Sequence, residues 1–306
     1  MQYYDYTNVK EFVADSDILS TLELATSTED LLERYTQDNF LELDPAMRVP
    51  FFAEIRNYLG ARERANPEAK WIVRRVDDTA RQGTEMAMMC YFVDHKVQSI
   101  SAAAIITRIE NEFYKATKIV PRSEQLSGAN YTEIVELKEQ LLLDLVNRWI
   151  YCDEDRNPNN YLIRYNSRNS QILIAIDFLN VDLLTKGIKI EGSAGQFGWS
   201  RNEKTRYLTP LKIENFLIYD MEFFNMRLDR FRKLERAFLE HLAGRVLRFN
   251  KERSRLSKLL AGNLVRRIEY VATYFESVFP AVRSDKDAGK YSSMGKAFTS
   301  MYDKFT

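Results

Sequence analysis

Asp155-Arg156-Asn157-Pro158-Asn159-Asn160-Tyr161-Leu162-Ile163, followed after a short hairpin by Ile176-Asp177-Phe178, is the stretch on which the reading of this chain turns. Asp, Asn and Pro are turn formers, so the first six residues read as a loop. Tyr161 to Tyr165 and Ile172 to Ile176 then read as the two strands of a hairpin. Upstream, Tyr131 to Ile150 carries Ile134, Leu137, Leu141, Leu145 and Trp149 at helical spacing, the pattern of a strong amphipathic helix. The loop therefore joins a helix to a hairpin, and Asp177 stands at the hairpin's far end. Taken alone, such a loop is open to two readings: Asx-turns and nothing more, or a set of groups that do chemistry.

The chemical reading is phosphoryl transfer. That reaction needs one carboxylate beside the attacking hydroxyl, with an amide oxygen and a second carboxylate to hold Mg2+ against the phosphates. A D-x-x-x-x-N loop supplies the first carboxylate and the amide, and an aspartate at the end of the next hairpin supplies the second. Asp155, Asn160 and Asp177 occur in that order. The stretch from Asp155 to Asn160 resembles the protein-kinase catalytic loop, including Pro158. Asp155-Arg156 with Asn160, then Ile176-Asp177-Phe178, is also similar to the signatures of phosphoinositide kinases and of HipA-like kinases. The HipA-like family is the nearest match, through Trp149, the Asn157-Pro158-Asn159 triplet and the apolar residues after Asp177. This resemblance covers roughly residues 137–184. It implies Asp155 as catalytic base, Asn160 and Asp177 as Mg2+ ligands, and ATP as the phosphoryl donor.

Toward the N-terminus the match is looser. In a kinase, a strand lysine contacts the nucleotide phosphates and pairs with a helix glutamate. If Trp71 to Arg74 takes the place of that strand, Arg74 holds the lysine position, and Lys70 shares its face by strand alternation. Glu85 is the glutamate implied. Arginine keeps the charge but not the compact ammonium, and Arg74 and Arg75 also fit a solvated strand face. No Gly-rich loop precedes Trp71, and Leu179 stands where a D-F-G glycine would be. These departures admit a second reading, a pseudokinase or interaction module of the same fold.

Composition frames both readings. The 306 residues are 45% hydrophobic and 29% charged with formal net charge zero, which fits an ordinary globular chain and excludes disordered and fibrous classes. Two cysteines, Cys90 and Cys152, make no disulfide framework, and two histidines, His95 and His241, exclude a His-rich zinc site. No apolar run approaches a membrane span, and Met1 to Asp17 is acidic where a signal peptide would be basic, so a cytoplasmic location is expected.

Four regions are expected along the chain. Residues 1–66 form a helical extension. In it, Ser27 caps a helix bearing Leu31, Leu32 and Tyr35, and a second helix runs from Pro45 to Leu59, ended by Gly60. Residues 67–122 form a small lobe: a strand at 71–76, a helix over 83–93, and strands 102–109 and 113–120 joined at Glu110-Asn111-Glu112. Residues 123–282 form a mainly helical large lobe after a polar connection from Pro121 to Asn130, and 283–306 form a polar tail. The fold class is thus α+β, a two-lobed protein-kinase-like fold with a helical N-terminal extension.

Two further segments carry alternatives. Gly192, Gly195 and Gly198 surround Ser193 in a loop that reads as a substrate-binding or activation segment, or as a plain flexible loop. Ser200 and Thr205 share that loop as candidate modification positions. Arg227, Arg230, Lys233, Arg245, Arg248, Lys251, Arg255, Arg266 and Arg267, interleaved with Phe231 and Phe249, fit either a nucleic-acid face or the wet side of a helical bundle. The partners expected are a nucleotide and a hydroxyl-bearing substrate, protein or small molecule, with nucleic acid as the competing alternative.

Overall fold

Three short helices open the chain, and each begins at a side chain that accepts a backbone N–H left unpaired at the helix start. Asn8 caps α1 (Val9–Val13), Asp15 caps α2 (Ser16–Thr21) and Ser27 caps α3 (Thr28–Tyr35) as expected, with Ser27 Oγ 3.1 Å from the Asp30 nitrogen. Helix α3 buries Leu31, Leu32 and Tyr35. This computed structural model describes residues 3–50, 53–54, 56–131, 133–153, 158–178, 180–184 and 218–278.

Strands β1 (Leu41–Leu43), β2 (Leu59–Glu63), β3 (Lys70–Arg75), β4 (Ala104–Ile109) and β5 (Glu112–Lys118) form one antiparallel sheet in the order β1-β2-β3-β5-β4. The helical reading of residues 1–66 is corrected here, since β1 and β2 lie within them and β2 pairs with β3. Among the described residues, 45–50 and 56–58 are turn and coil and Leu59 already lies in β2, so Gly60 does not end a helix. It sits in β2, where an added Cβ would lie 2.7 Å from Met47 Cβ and 3.0 Å from the Asp44 carbonyl oxygen. Glycine is needed there because the preceding segment crosses too closely for any side chain. The β4–β5 turn matches expectation: Glu110 and Asn111 take φ of 50° and 70°, the left-handed pair of a tight hairpin.

Helix α4 (Asp78–Lys96), capped by Asp77, is longer than its apolar run indicates. It and α3 cover one face of the sheet, where the Trp71 ring meets Tyr35 and Phe40 edge-on with centroids 5.5 and 5.9 Å away. Burying each such side chain contributes about 1.5–3 kcal/mol. Along β5, alternation sends Ala116 and Lys118 to this face with Trp71 and Val73, and Lys115 and Thr117 to the other with Arg74 and Ile72.

The 121–130 connection is more than a linker. It holds β6 (Glu124–Gln125), the edge of a second sheet with β7 (Tyr161–Tyr165) and β8 (Gln171–Ala175). Helix α5 (Val135–Tyr151) packs on β8 and on α6 (Met221–Arg232) and α8 (Arg253–Thr273), with α7 (Arg236–Val246) between the last two in sequence. Trp149 anchors this core, its ring centroid 5.6 Å from Tyr274 and 5.8 Å from Phe275. The two sheets are stitched at Ala175, whose oxygen accepts from Ala102 N and whose nitrogen donates to Ile100 O, both at 3.0 Å.

Five of the basic residues of 227–267 do not lie on a free face, whereas Lys233, Lys251 and Arg255 are exposed as the wet-side reading expected. Arg227 and Arg267 are buried, and Arg230 donates to the carbonyls of Thr7, Val97 and Gln98. Arg245 reaches Glu33 and Thr36, and Arg248 lies over the Phe249 ring. The helical amphipathic pattern cannot show that these side chains dock onto the N-terminal half, and that docking corrects both the nucleic-acid and the wet-side readings for them. Among the described residues no helix is long and apolar enough to cross a membrane. The glycine loop around Ser193, with Ser200 and Thr205, and the tail after 283 lie outside the described residues.

Candidate active site

Asp177 follows β8 with φ of 56°, a left-handed conformation that costs about 1–2 kcal/mol for an ordinary residue and that Asp tolerates better than most. Strain of this kind at a strand end marks a position that the surroundings hold in place. Its carboxylate Oδ1 lies 3.0 Å from Lys115 Nζ. The lysine side chain is 4% exposed and the aspartate 31%, so the pair sits at the boundary of the interior with the carboxylate on the wetter side.

Asn160 closes the 3-10 turn Pro158–Asn160 and is buried. Its carbonyl accepts from Ile176 N at 2.9 Å, extending the β7–β8 ladder to the residue before Asp177. The hairpin thus brings together two residues seventeen positions apart, as its strand lengths require. Asp155 lies outside the described residues; its loop is bounded by Asp153 and Pro158.

Arg148 braces both sides of that loop. Its fully buried guanidinium bonds Asp144 Oδ2 at 2.9 Å and pairs with Asp153, which immediately precedes the undescribed loop positions. The same group lies 4.6 Å from the ring centroid of Phe178, the residue after Asp177. Burial would lower the pKa of Arg148, but Asp144 and Asp153 outweigh it and hold the group well above its ordinary value. Tyr161 OH adds a bond to Asp144 at 2.7 Å. Past Asp177, Asn263 Nδ2 donates to the carbonyls of Leu183 and Leu184, each at 2.9 Å, and Arg267 Nη1 to that of Asp182 at 2.5 Å.

Three expected residues make no hydrogen bond or ion pair with Asp177, although Arg74 shares the sheet face of Lys115. Lys70 is exposed at the start of β3, and Arg74 is half-buried with its guanidinium 5.3 Å from the Tyr58 ring centroid. The cation at the site comes from the next strand: Lys115 lies directly opposite Arg74 in the β3–β5 register, and opposed residues share a sheet face. Glu85 is buried, but among the described residues its carboxyl oxygens make no hydrogen bond. Burial pushes its pKa up, and the charges of Arg81 and Arg248 act against that rise. A lysine amid the apolar run of β5 was the available signal for Lys115. Nothing local, however, says that β5 inserts between β3 and β4.

The donor set suits a hard divalent cation, which takes carboxylate and amide oxygens and keeps several positions for water or phosphate. Asp177 and Asn160 carry such oxygens. Among the described residues no cluster of three or more His, Cys, Asp or Glu forms an all-protein metal cage.

No family model matches the chain, and no curated protein matches it. Among solved structures, it is similar to a Helicobacter pylori proinflammatory kinase, CtkA, at 9% sequence identity and a TM-score of 0.41, covering 86% of this chain and 99% of the other.

Proposed function

We propose that this chain is an ATP- and Mg2+-dependent phosphotransferase acting on a hydroxyl group. The observation that carries the reading is the Lys115–Asp177 pair at 3.0 Å, on the sheet face away from α4, with Asn160 tied by its backbone to the residue before Asp177. An ammonium, a carboxylate and an amide are the groups that nucleotide phosphates and their cation require.

In this reading Lys115 gives up part of its bond to Asp177 and places its charge against the phosphates. The metal, held by Asp177 and Asn160, would neutralise charge on the transferring group. Asp155 accepts the proton of the attacking hydroxyl, and Arg148 keeps the flanking backbone at Asp153 and Phe178 in register. The resemblance to HipA-like kinases favours a protein serine or threonine as acceptor, with a small-molecule alcohol as the alternative. The pseudokinase reading is favoured by Glu85, whose buried carboxyl makes no ion pair with Lys115 among the described residues.

The test is a thermal-shift titration with ATP and Mg2+ on the parent, Asp177→Ala and Asp155→Ala, followed by turnover. Stabilisation by nucleotide that is lost in Asp177→Ala, with turnover lost in Asp155→Ala, supports the enzyme. Binding without turnover in the parent supports the pseudokinase, and no shift at millimolar nucleotide removes both.

A further inference from the structure

Strand β3 sets Arg74 directly opposite Lys115 of β5, and opposed residues of antiparallel strands point to the same face with Cβ atoms about 4.5–5.5 Å apart. Two cations therefore stand side by side on the face that meets Asp177. Like charges so placed cost stability unless an anion compensates them. The Asp177 carboxylate goes to Lys115, with Oδ1 at 3.0 Å from Nζ.

Arg74 is left uncompensated. Its guanidinium rests 5.3 Å from the Tyr58 ring centroid, and among the described residues it makes no hydrogen bond and no ion pair. The next residue, Arg75, points to the other face by strand alternation and has Glu112 at 2.8 Å, so Arg74 is the cation of this strand end that lacks an acid. It is half-buried, and none of its side-chain nitrogens is sealed from solvent, so the charge is held in place but open to a ligand.

We propose that Arg74 and Lys115 together seat a polyphosphate chain, each cation on a different phosphate, so that the site takes nucleoside di- and triphosphates and discriminates against monophosphates. This rests on the phosphotransfer reading of the same site and adds to it a second cation and a selectivity. In that reading a metal and the Lys115 ammonium meet part of the chain, while Asp177 returns a negative charge of its own. Arg74 supplies the further positive charge, and its planar fork takes two phosphate oxygens at once. The Tyr58 ring holds the guanidinium before the ligand arrives, which reduces the ordering that binding must impose. This role differs from that of a strand lysine paired to a helix glutamate, because Arg74 works beside Lys115 and needs no partner on α4.

The experiment is calorimetric titration of the full chain with ATP and with AMP, each in excess Mg2+, on the parent, Arg74→Gln and Arg74→Lys. ATP should bind the parent at least about tenfold tighter than AMP, and Arg74→Gln should weaken ATP about tenfold while leaving AMP within about twofold. Arg74→Lys keeps the charge without the fork and should fall between the two, which carries the test if Arg74→Gln does not fold. Parent-like ATP binding by either variant, an equal loss of ATP and AMP in Arg74→Gln, or equal affinity of the parent for the two nucleotides would each overturn the proposal and leave the phosphotransfer reading standing. No ATP binding by the parent would remove both.

Discussion

Replacing either member of the Lys115–Asp177 pair should give unequal losses of stability, because the two partners are unequally buried. Asp177→Asn keeps a residue that tolerates φ of 56° but leaves a lysine 4% exposed without its counter-charge. Breaking a fully buried pair costs about 3–5 kcal/mol. Since Asp177 is 31% exposed and water reaches part of the site, roughly 1.5–3 kcal/mol is expected. Lys115→Met removes the buried charge, fills its volume with apolar atoms and leaves Asp177 to water, so a change within about 1 kcal/mol is expected. At roughly 2–4 °C per kcal/mol, Asp177→Asn should melt about 3–12 °C below the parent and Lys115→Met within about 4 °C of it. Both variants should lose the nucleotide-dependent shift, which at one hundred times Kd is worth about 2.7 kcal/mol in the parent. Urea denaturation and melting curves with and without ATP and Mg2+ measure both quantities. Equal destabilisation by the two variants would refute the burial asymmetry, and a parent-like nucleotide shift in Lys115→Met would refute its role at the phosphates.

Three more outcomes are expected. Arg148→Met should lower stability by about 3–5 kcal/mol in urea, because it strands Asp144 and Asp153 in the interior, and Asp153→Asn in the same background should recover part of that loss. His95, buried between Thr28 Oγ1 and the Glu23 carbonyl, has its pKa lowered by burial from 6.5 to about 4. The stability this favours is complete above the unfolded value near 6.5 and is lost as pH falls toward about 4. The parent should therefore lose up to roughly 3 kcal/mol more over that window than His95→Gln does, and equal slopes in acid titration would count against it. Gly60→Ala should cost about 1–3 kcal/mol, since the new Cβ meets Met47 Cβ at 2.7 Å, and a neutral result in thermal melts would mean the crossing segment relaxes freely.

Much of the candidate site was legible because it is local. Turn formers from Asp155 to Asn160, a helix before them and a hairpin after them fix that Asn160 and Asp177 meet, whatever surrounds them. Ser27 and the Glu110-Asn111 turn were legible for the same reason: capping and left-handed turn geometry act within four residues. The β1 and β2 strands were not, because three- and five-residue strands carry little periodicity and Gly60 reads equally well as a helix end.

By itself, the sequence determined the α+β class, the helix α5 and the loop-and-hairpin that carries Asn160 and Asp177. Only the tertiary structure decided which cation meets Asp177. Strand order is set by packing between distant segments, and inserting β5 beside β3 put Lys115, not Arg74, at the carboxylate. The same holds for the arginines of the last helices. Their spacing showed one charged side, but their partners at Thr7, Glu33 and Val97 lie more than one hundred residues away and become neighbours only when the N-terminal half docks.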